Sequence, residues 1–208
     1  MRVTKVEVQA KHKDRVNVYV DEEFFAGIDM DTCVKLGIKP GIEIDEEHMH
    51  SVIVESEKQK ALAKAAKYLG KALKSTKQIK DYLRGKGYNT DTINYVIEKL
   101  TEYNYLNDEA YVQAYIKDKG SVQGVHKLKY GLSQKGISPK LIDEAFEDYK
   151  SNTDDIKRLA LKKLGAKPKT YDNLSKVMVF LSNKGYEYDE IKHVVNELRE
   201  DDGDESWY

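Results

Sequence analysis

Residues 75–88 read STKQIKDYLRGKGY, residues 124–137 read GVHKLKYGLSQKGI and residues 173–186 read NLSKVMVFLSNKGY, and successive stretches start 49 residues apart. Within them Ile79, Leu128 and Val177 share one column, and Leu83, Leu132 and Leu181 share the column one helical turn later. Holding the same offset aligns Ile93/Ile142/Ile191, Val96/Ala145/Val194, Ile97/Phe146/Val195 and Leu100/Tyr149/Leu198. Spacings of three and four put these residues on one face of a helix. The column Ser75, Gly124 and Asn173 holds residue types that start helices, and Ser75 with Gln78 three residues on forms a capping box. Gly87, Gly136 and Gly185 stand where a helix must stop in a left-handed conformation. Two residues later the next helix starts, most plainly at Ser138 with Pro139 in the first helical position.

Each unit therefore reads as three helices, over about 57–73, 76–86 and 90–103 in the first copy. The second copy starts near Glu109 and the third near Asp154. This predicts three three-helix repeats, at 57–107, 108–153 and 154–200. A unit of under fifty residues buries too little surface alone, so the copies should stack as a tandem, solenoid-like array.

Upstream, residues 1–56 read as a small β-rich segment. Thr4, Val6 and Val8 alternate with charged residues, Lys11-His12-Lys13-Asp14 breaks the run, and Val16, Val18 and Val20 resume it. Asp21-Glu22 turns the chain into Phe24, Ala26 and Ile28, completing an antiparallel meander with one apolar face. A short helix over Thr32 to Leu36 ends at Gly37, Ile42 and Ile44 suit a last short strand, and Asp45 is placed to cap a helix through Met49, Val52 and Ile53. The fold class expected is mostly α: the tandem array preceded by this β-rich segment.

The chain has 208 residues, 40% apolar and 34% charged, with one Cys. At roughly 150 residues per domain that suffices for a real core. Cys33 alone excludes a disulfide framework, no run of about 18 apolar residues could span a membrane, and the start, Met1 to Glu7, lacks the apolar core of a signal peptide. A cytoplasmic monomer is expected. The net charge of -1 conceals a marked asymmetry. Residues 1–56 carry 7 Lys/Arg against 12 Asp/Glu, residues 57–86 carry 10 against 2, residues 87–198 balance at 17 each, and the tail 199–208 has 1 against 5.

Catalytic constellations are missing, and no cofactor is implied. No glycine-rich loop leads into Lys-Ser/Thr. Asp29 and Asp31 at a strand-to-helix turn read as caps sooner than metal ligands, and His48 with His50 lacks a third ligand. Cys33 reads as a small buried side chain. The feature with chemical content is a Lys stripe. Lys60, Lys64, Lys67, Lys71 and Lys74 step by 4, 3, 4 and 3 along one helix face, opposite an apolar stripe of Leu62, Ala65, Ala66, Leu69 and Leu73. Lys77, Lys80 and Arg84 extend the charge into the second helix. A solvated face is the plain alternative. Against it, lysines four apart repel, and only Glu57 and Asp81 offset them locally, so an acidic partner or polyanion would relieve the strain. Among the fifteen Tyr, Tyr68, Tyr95, Tyr103 and Tyr115 fall on apolar columns and read as core, whereas Tyr88, Tyr105, Tyr130 and Tyr171 have no clear place. The acidic tail from residue 201 reads as a disordered terminus that could shield the stripe in cis.

Ala61-Leu62 in a Lys-rich helix, then Lys74-Ser75, Gln78-Ile79, Tyr82-Leu83 and Lys86-Gly87-Tyr88 follow in order. They lead to Leu100, to Tyr105-Leu106-Asn107-Asp108-Glu109-Ala110-Tyr111 and to Leu132-Ser133-Gln134-Lys135-Gly136-Ile137. This ordered set resembles the bacterial regulatory RecX family, modulators of the RecA recombinase, over residues 57–200. The β-rich segment is similar to an N-terminal extension found in that family. The chain departs from the family pattern at Gln78, usually acidic, and at Lys74, usually Arg. The resemblance implies a non-enzymatic protein whose repeats lodge in the groove of the RecA–single-stranded DNA filament. There they would bridge subunits and restrain ATPase, growth and strand exchange in recombination and the DNA-damage response. The rival is a helical-repeat protein that binds DNA directly. In that case a stripe touching about three to five phosphates gives a log–log salt slope of roughly -2 to -3.5 on single strands. A third possibility is a scaffold with no nucleic-acid involvement.

Overall fold

The computed structural model describes residues 1–200, apart from the side chains of Glu46 and His48. The reading of 201–208 as a disordered tail, and the pairing of His48 with His50, lie outside the described residues. The chain divides into two compact units, residues 1–107 and the part from Asp108 onward.

The first unit opens with an antiparallel sheet, β1 (Val3–Val8), β2 (Arg15–Val20) and β3 (Glu23–Asp29), in the order β1-β2-β3. The meander is as expected, but two bulges re-aim its side chains. One falls between Val3 and Lys5 and brings Val3 into the core, whereas Val8, at the end of this edge strand, is exposed although it pairs with buried Val16. The other falls at Phe25: Val18 faces Ala26 and Tyr19 faces Phe24, so Phe25 packs on the core and Phe24 is turned out to solvent. Strict alternation had placed Phe24 inside, and an extra residue flips the face of everything beyond it. Asp29 caps helix α1 (Met30–Lys35), its Oδ1 accepting from the Thr32 amide at 3.0 Å. Gly37 follows with φ +63°. Ile42 and Ile44 lie beside the chain start through bonds such as Val3 N–H to the Ile42 carbonyl at 2.9 Å.

Helix α2 then runs unbroken over Glu46–Leu69. It joins what the sequence suggested were two helices, and position 56/57 lies in its middle. The β-branched run Val52-Ile53-Val54 is tolerated because Ile53 is buried in the sheet's own core. Farther along, Ala61 and Ala65 are fully buried in a second core with Ile79, Leu83, Ile93, Val96 and Leu100. One helix thus serves the sheet at one end and the repeat at the other. It stops at Leu69, four residues short of the expected end. Gly70 disfavours continuation, and a short turn leads to the capping box at Ser75, where the Gln78 amide donates to Ser75 Oγ at 3.3 Å. In consequence Leu73, expected inside, is exposed, and Ala66, within α2 and also expected inside, is exposed as well. Helices α3 (Thr76–Arg84) and α4 (Thr90–Glu102) complete the repeat. Tyr103, read as core, follows α4 and is exposed.

The second unit holds α5 (Asp108–Lys119), α6 (Val125–Gln134), α7 (Pro139–Phe146), α8 (Thr153–Leu164), α9 (Tyr171–Asn183) and α10 (Tyr188–Glu200). Two cores repeat the column pattern. Leu128, Leu132 and Ile142 anchor one, and Val177, Leu181 and Ile191 anchor the other. Gly87, Gly136 and Gly185 all have φ between +78° and +88°. Gly124 caps α6 as expected, but in the third copy α9 is capped by Thr170 instead of Asn173, which lies inside the first turn and donates from Nδ2 to the Pro168 carbonyl at 2.9 Å.

Candidate functional site: the lysine-rich face of the first repeat

The eight basic residues singled out in the sequence occupy the C-terminal half of α2, the turn 70–75 and α3, and the fold treats them unequally. Lys60 is half-buried, its ammonium bonded to the Asp29 carboxylate that caps α1. Burial would raise the Asp29 carboxyl, but the Lys60 ammonium and the Thr32 amide outweigh it and hold the group below the usual carboxylate range. Lys64 lies 3.8 Å from Asp14 Oδ2 and 5.4 Å from the centre of the Tyr88 ring. Lys60 and Lys64 therefore help seat the β-sheet segment on α2.

Beside them is a buried ion pair. Arg15, at the start of β2, is 2% exposed and donates from Nη2 to Glu57 Oε2 at 2.6 Å and to the Gly27 carbonyl at 2.7 Å. Its guanidinium lies 4.8 Å from the Tyr88 ring centre. Glu57 Oε1 accepts the Asp29 amide at 3.0 Å. Burial pushes the Glu57 carboxyl up even though Arg15 and the Asp29 amide pull it down. The two carboxylates of residues 57–86 are thus not the only counter-charges. Glu57 is committed to Arg15, while Asp29 and Asp14 of the acidic N-terminal segment neutralise Lys60 and Lys64. The opposite charge of the neighbouring segments 1–56 and 57–86 was the sequence signal for this docking.

Lys67, Lys71 and Lys74 are placed differently. Lys67 is in the last turn of α2, but Lys71 and Lys74 lie beyond its end, so the expected single helical stripe is broken after Lys67. Lys67 and Lys71 are exposed and, among the described residues, have no carboxylate within 4 Å. Lys74 lies 5.0 Å from the Tyr68 ring centre. Tyr68 stacks on Tyr82 with centroids 4.2 Å apart and planes 12° from parallel, and Lys86 lies 5.9 Å from the Tyr82 ring centre. The two rings are therefore half-buried on the core and flanked by ammonium groups, a placement the apolar-column reading of Tyr68 missed. On α3, Lys77 and Arg84 share Asp81, at 3.6 and 2.9 Å, while Lys80 is half-buried with no carboxylate within 4 Å among the described residues. The result is a basic stretch that includes a pair of stacked tyrosines flanked by Lys74 and Lys86, suited to phosphates or an acidic protein surface.

Three further placements bear on function. Cys33 is buried, its Sγ donating to the Ile38 carbonyl at 3.3 Å, and burial pushes the thiol up, away from nucleophilic use. No group of three or more metal-ligating side chains occurs among the described residues. No described helix is long and apolar enough to cross a membrane.

A small antiparallel sheet seated on a three-helix unit that recurs along the chain, with basic residues on the first copy, defines a helical-repeat protein. Residues 1–45 match the regulatory protein RecX N-terminal domain, residues 61–100 the RecX first three-helix domain and residues 107–145 the second. The chain is 38% identical to the regulatory protein RecX of Clostridium botulinum (strain Eklund 17B / Type B), covering 94% of this chain and 95% of that relative. It is 34% identical to that of Clostridium tetani (strain Massachusetts / E88), over 97% and 96% of the two chains. A crystal structure of regulatory protein RecX superposes with a TM-score of 0.65 at 22% identity over 94% of this chain and 98% of its own. RecX from Lactobacillus salivarius gives 0.64 at 26% identity over 70% and 98%. The chain belongs to the RecX family of regulatory proteins.

Proposed function

We propose that this protein acts without catalysis, as a cytoplasmic monomer, by binding RecA filaments on single-stranded DNA and restraining their ATPase, growth and strand exchange. Family membership supports the regulatory role. The observation that carries the site is the basic face left over once the N-terminal segment has engaged Lys60 and Lys64. Lys74 and Lys86 flank the Tyr68–Tyr82 stack, and Lys67, Lys71, Lys77, Lys80 and Arg84 lie on the same run of chain. These residues meet the filament.

The combined variant Lys67→Glu, Lys71→Glu, Lys74→Glu should reduce co-sedimentation with RecA–single-stranded DNA filaments by at least about tenfold, with helicity unchanged and melting little changed, since exposed Lys67 and Lys71 contribute little to folding and half-buried Lys74 loses only its contact with the Tyr68 ring. Lys60→Glu should behave oppositely and lower the melting temperature, because it sets a carboxylate against Asp29. Full filament binding by the triple variant would overturn the assignment of this face.

A further inference from the structure

We propose that the third repeat carries a second, separate binding groove for single-stranded nucleic acid, formed by α8 and α9. Residues 87–198 balance in charge as a block, but residues 156–184 hold eight Lys or Arg against Asp172 alone. This segment lies 98 residues, two repeat lengths, after residues 58–86, and the correspondence extends to chemistry. Phe180 occupies the place of Tyr82, Lys184 that of Lys86 and Lys162 that of Lys64. The ammonium of Lys184 lies 5.5 Å from the Phe180 ring centre, as Lys86 does from Tyr82 at 5.9 Å, and Lys163 lies 5.4 Å from the same ring.

The structure adds a groove to this pattern. A concavity of about 630 Å³ runs between the end of α8 and α9, with Leu164, Val177 and Phe180 along it, Tyr171 at 74% exposure, and Lys163, Lys167 and Lys176 around it. Among the described residues none of these three lysines has a carboxylate within 4 Å, whereas Lys157 and Arg158, on the same helix, are paired with Glu197 and Asp155. A merely solvated face would not combine cations lacking carboxylates with exposed Val179, half-buried Phe180 and the exposed Tyr171 ring. The middle repeat lacks this surface. Gly131 stands at the position of Tyr82 and Phe180, and a Cβ there would lie 2.2 Å from Tyr115 Oη, so Tyr115 covers the spot. Its segment 107–135 has five Lys against three acidic residues. Cations for phosphates beside rings for base faces are what sequence-tolerant single-strand binding requires. An acidic protein surface would use the lysines but leave Tyr171 and Phe180 without a role.

The test uses the full chain and a fluorescent oligo(dT) with no recombinase present, so its result is independent of the filament reading above. The parent chain should bind at low salt. Lys163→Glu, Lys167→Glu, Lys176→Glu should weaken binding on the order of 100-fold near 0.1 M salt and flatten the log–log salt slope by about 2, as loss of three phosphate contacts requires. Tyr171→Ala alone should weaken it roughly tenfold. A charge-matched variant, Lys117→Glu, Lys140→Glu, Lys192→Glu, on exposed sites of the same unit, should lose far less. Failure of the parent to bind, or equal losses and equal slopes in the two triple variants, would overturn the groove.

Discussion

Arg15→Met should destabilise the protein by about 3–5 kcal/mol, seen as a fall in the urea midpoint, because it strands the Glu57 carboxylate in the interior with only the Asp29 amide as partner. The pair links β2 to the middle of α2, so one substitution loosens the sheet from the first repeat. The defect should depend on pH in a definite sense. Glu57 is already raised by burial, and losing Arg15 raises it further. A carboxyl raised in the folded state costs nothing below its unfolded pKa of about 4.3, and the cost grows as pH climbs through the folded value. The deficit of Arg15→Met should therefore shrink toward pH 4 and be full at neutrality. Pairing the change with Glu57→Leu should recover most of the loss, since replacing both members of a buried pair by apolar groups is often neutral. A double variant as unstable as Arg15→Met alone would contradict this account of the contact.

Gly124→Ala should cost about 2–3 kcal/mol, although Gly124 has an ordinary φ of -81°. The reason is steric. A Cβ at 124 would lie 2.3 Å from the Gly185 carbonyl oxygen, and backbone cannot yield as a flexible side-chain end can. At this point the Gly124 amide donates to the Lys184 carbonyl at 3.0 Å and the His126 amide to the Gly185 carbonyl at 3.1 Å. The loop that ends a helix in the third repeat thus meets the start of a helix in the second, backbone to backbone. Gly70→Ala is the contrast. Its Cβ would meet nothing closer than 3.6 Å, so the change should be neutral or stabilising. A Gly124→Ala protein with the parent's urea midpoint would mean that the two loops are not apposed.

Much of this fold was legible in the sequence because a 49-residue repeat compares the chain with itself. Columns such as Leu83, Leu132 and Leu181, all fully buried, needed no knowledge of tertiary contacts. What was not legible depends on contacts distant in sequence or on single extra residues. The bulge at Phe25 breaks no local pattern strongly enough to announce itself, yet it exchanges Phe24 for Phe25 in the core. The basic face was legible as charge but not as geometry. The steps of three and four among five lysines imply one helix, and the helix ends at Leu69 because Gly70 and the Ser75 capping box outweigh that periodicity. That Lys60 is held by Asp29 could be suspected only from the net charges of adjacent segments. The third repeat's cations escaped notice because a long window averaged them with acidic neighbours. Shifting the first repeat's charge count by 98 residues would have revealed them.

The proposed regulation of a recombinase filament works through the exposed basic residues of the first repeat. The most direct measurement is RecA-dependent ATP hydrolysis on single-stranded DNA, titrated with this protein to well below one copy per RecA, in parallel with the Lys67→Glu, Lys71→Glu, Lys74→Glu variant. The parent should inhibit at those ratios, since a protein lodged in or capping a filament acts on many subunits, and the variant should lose that inhibition. Hydrolysis unaffected until the protein approaches RecA in amount, or inhibited equally by both, would contradict the proposal.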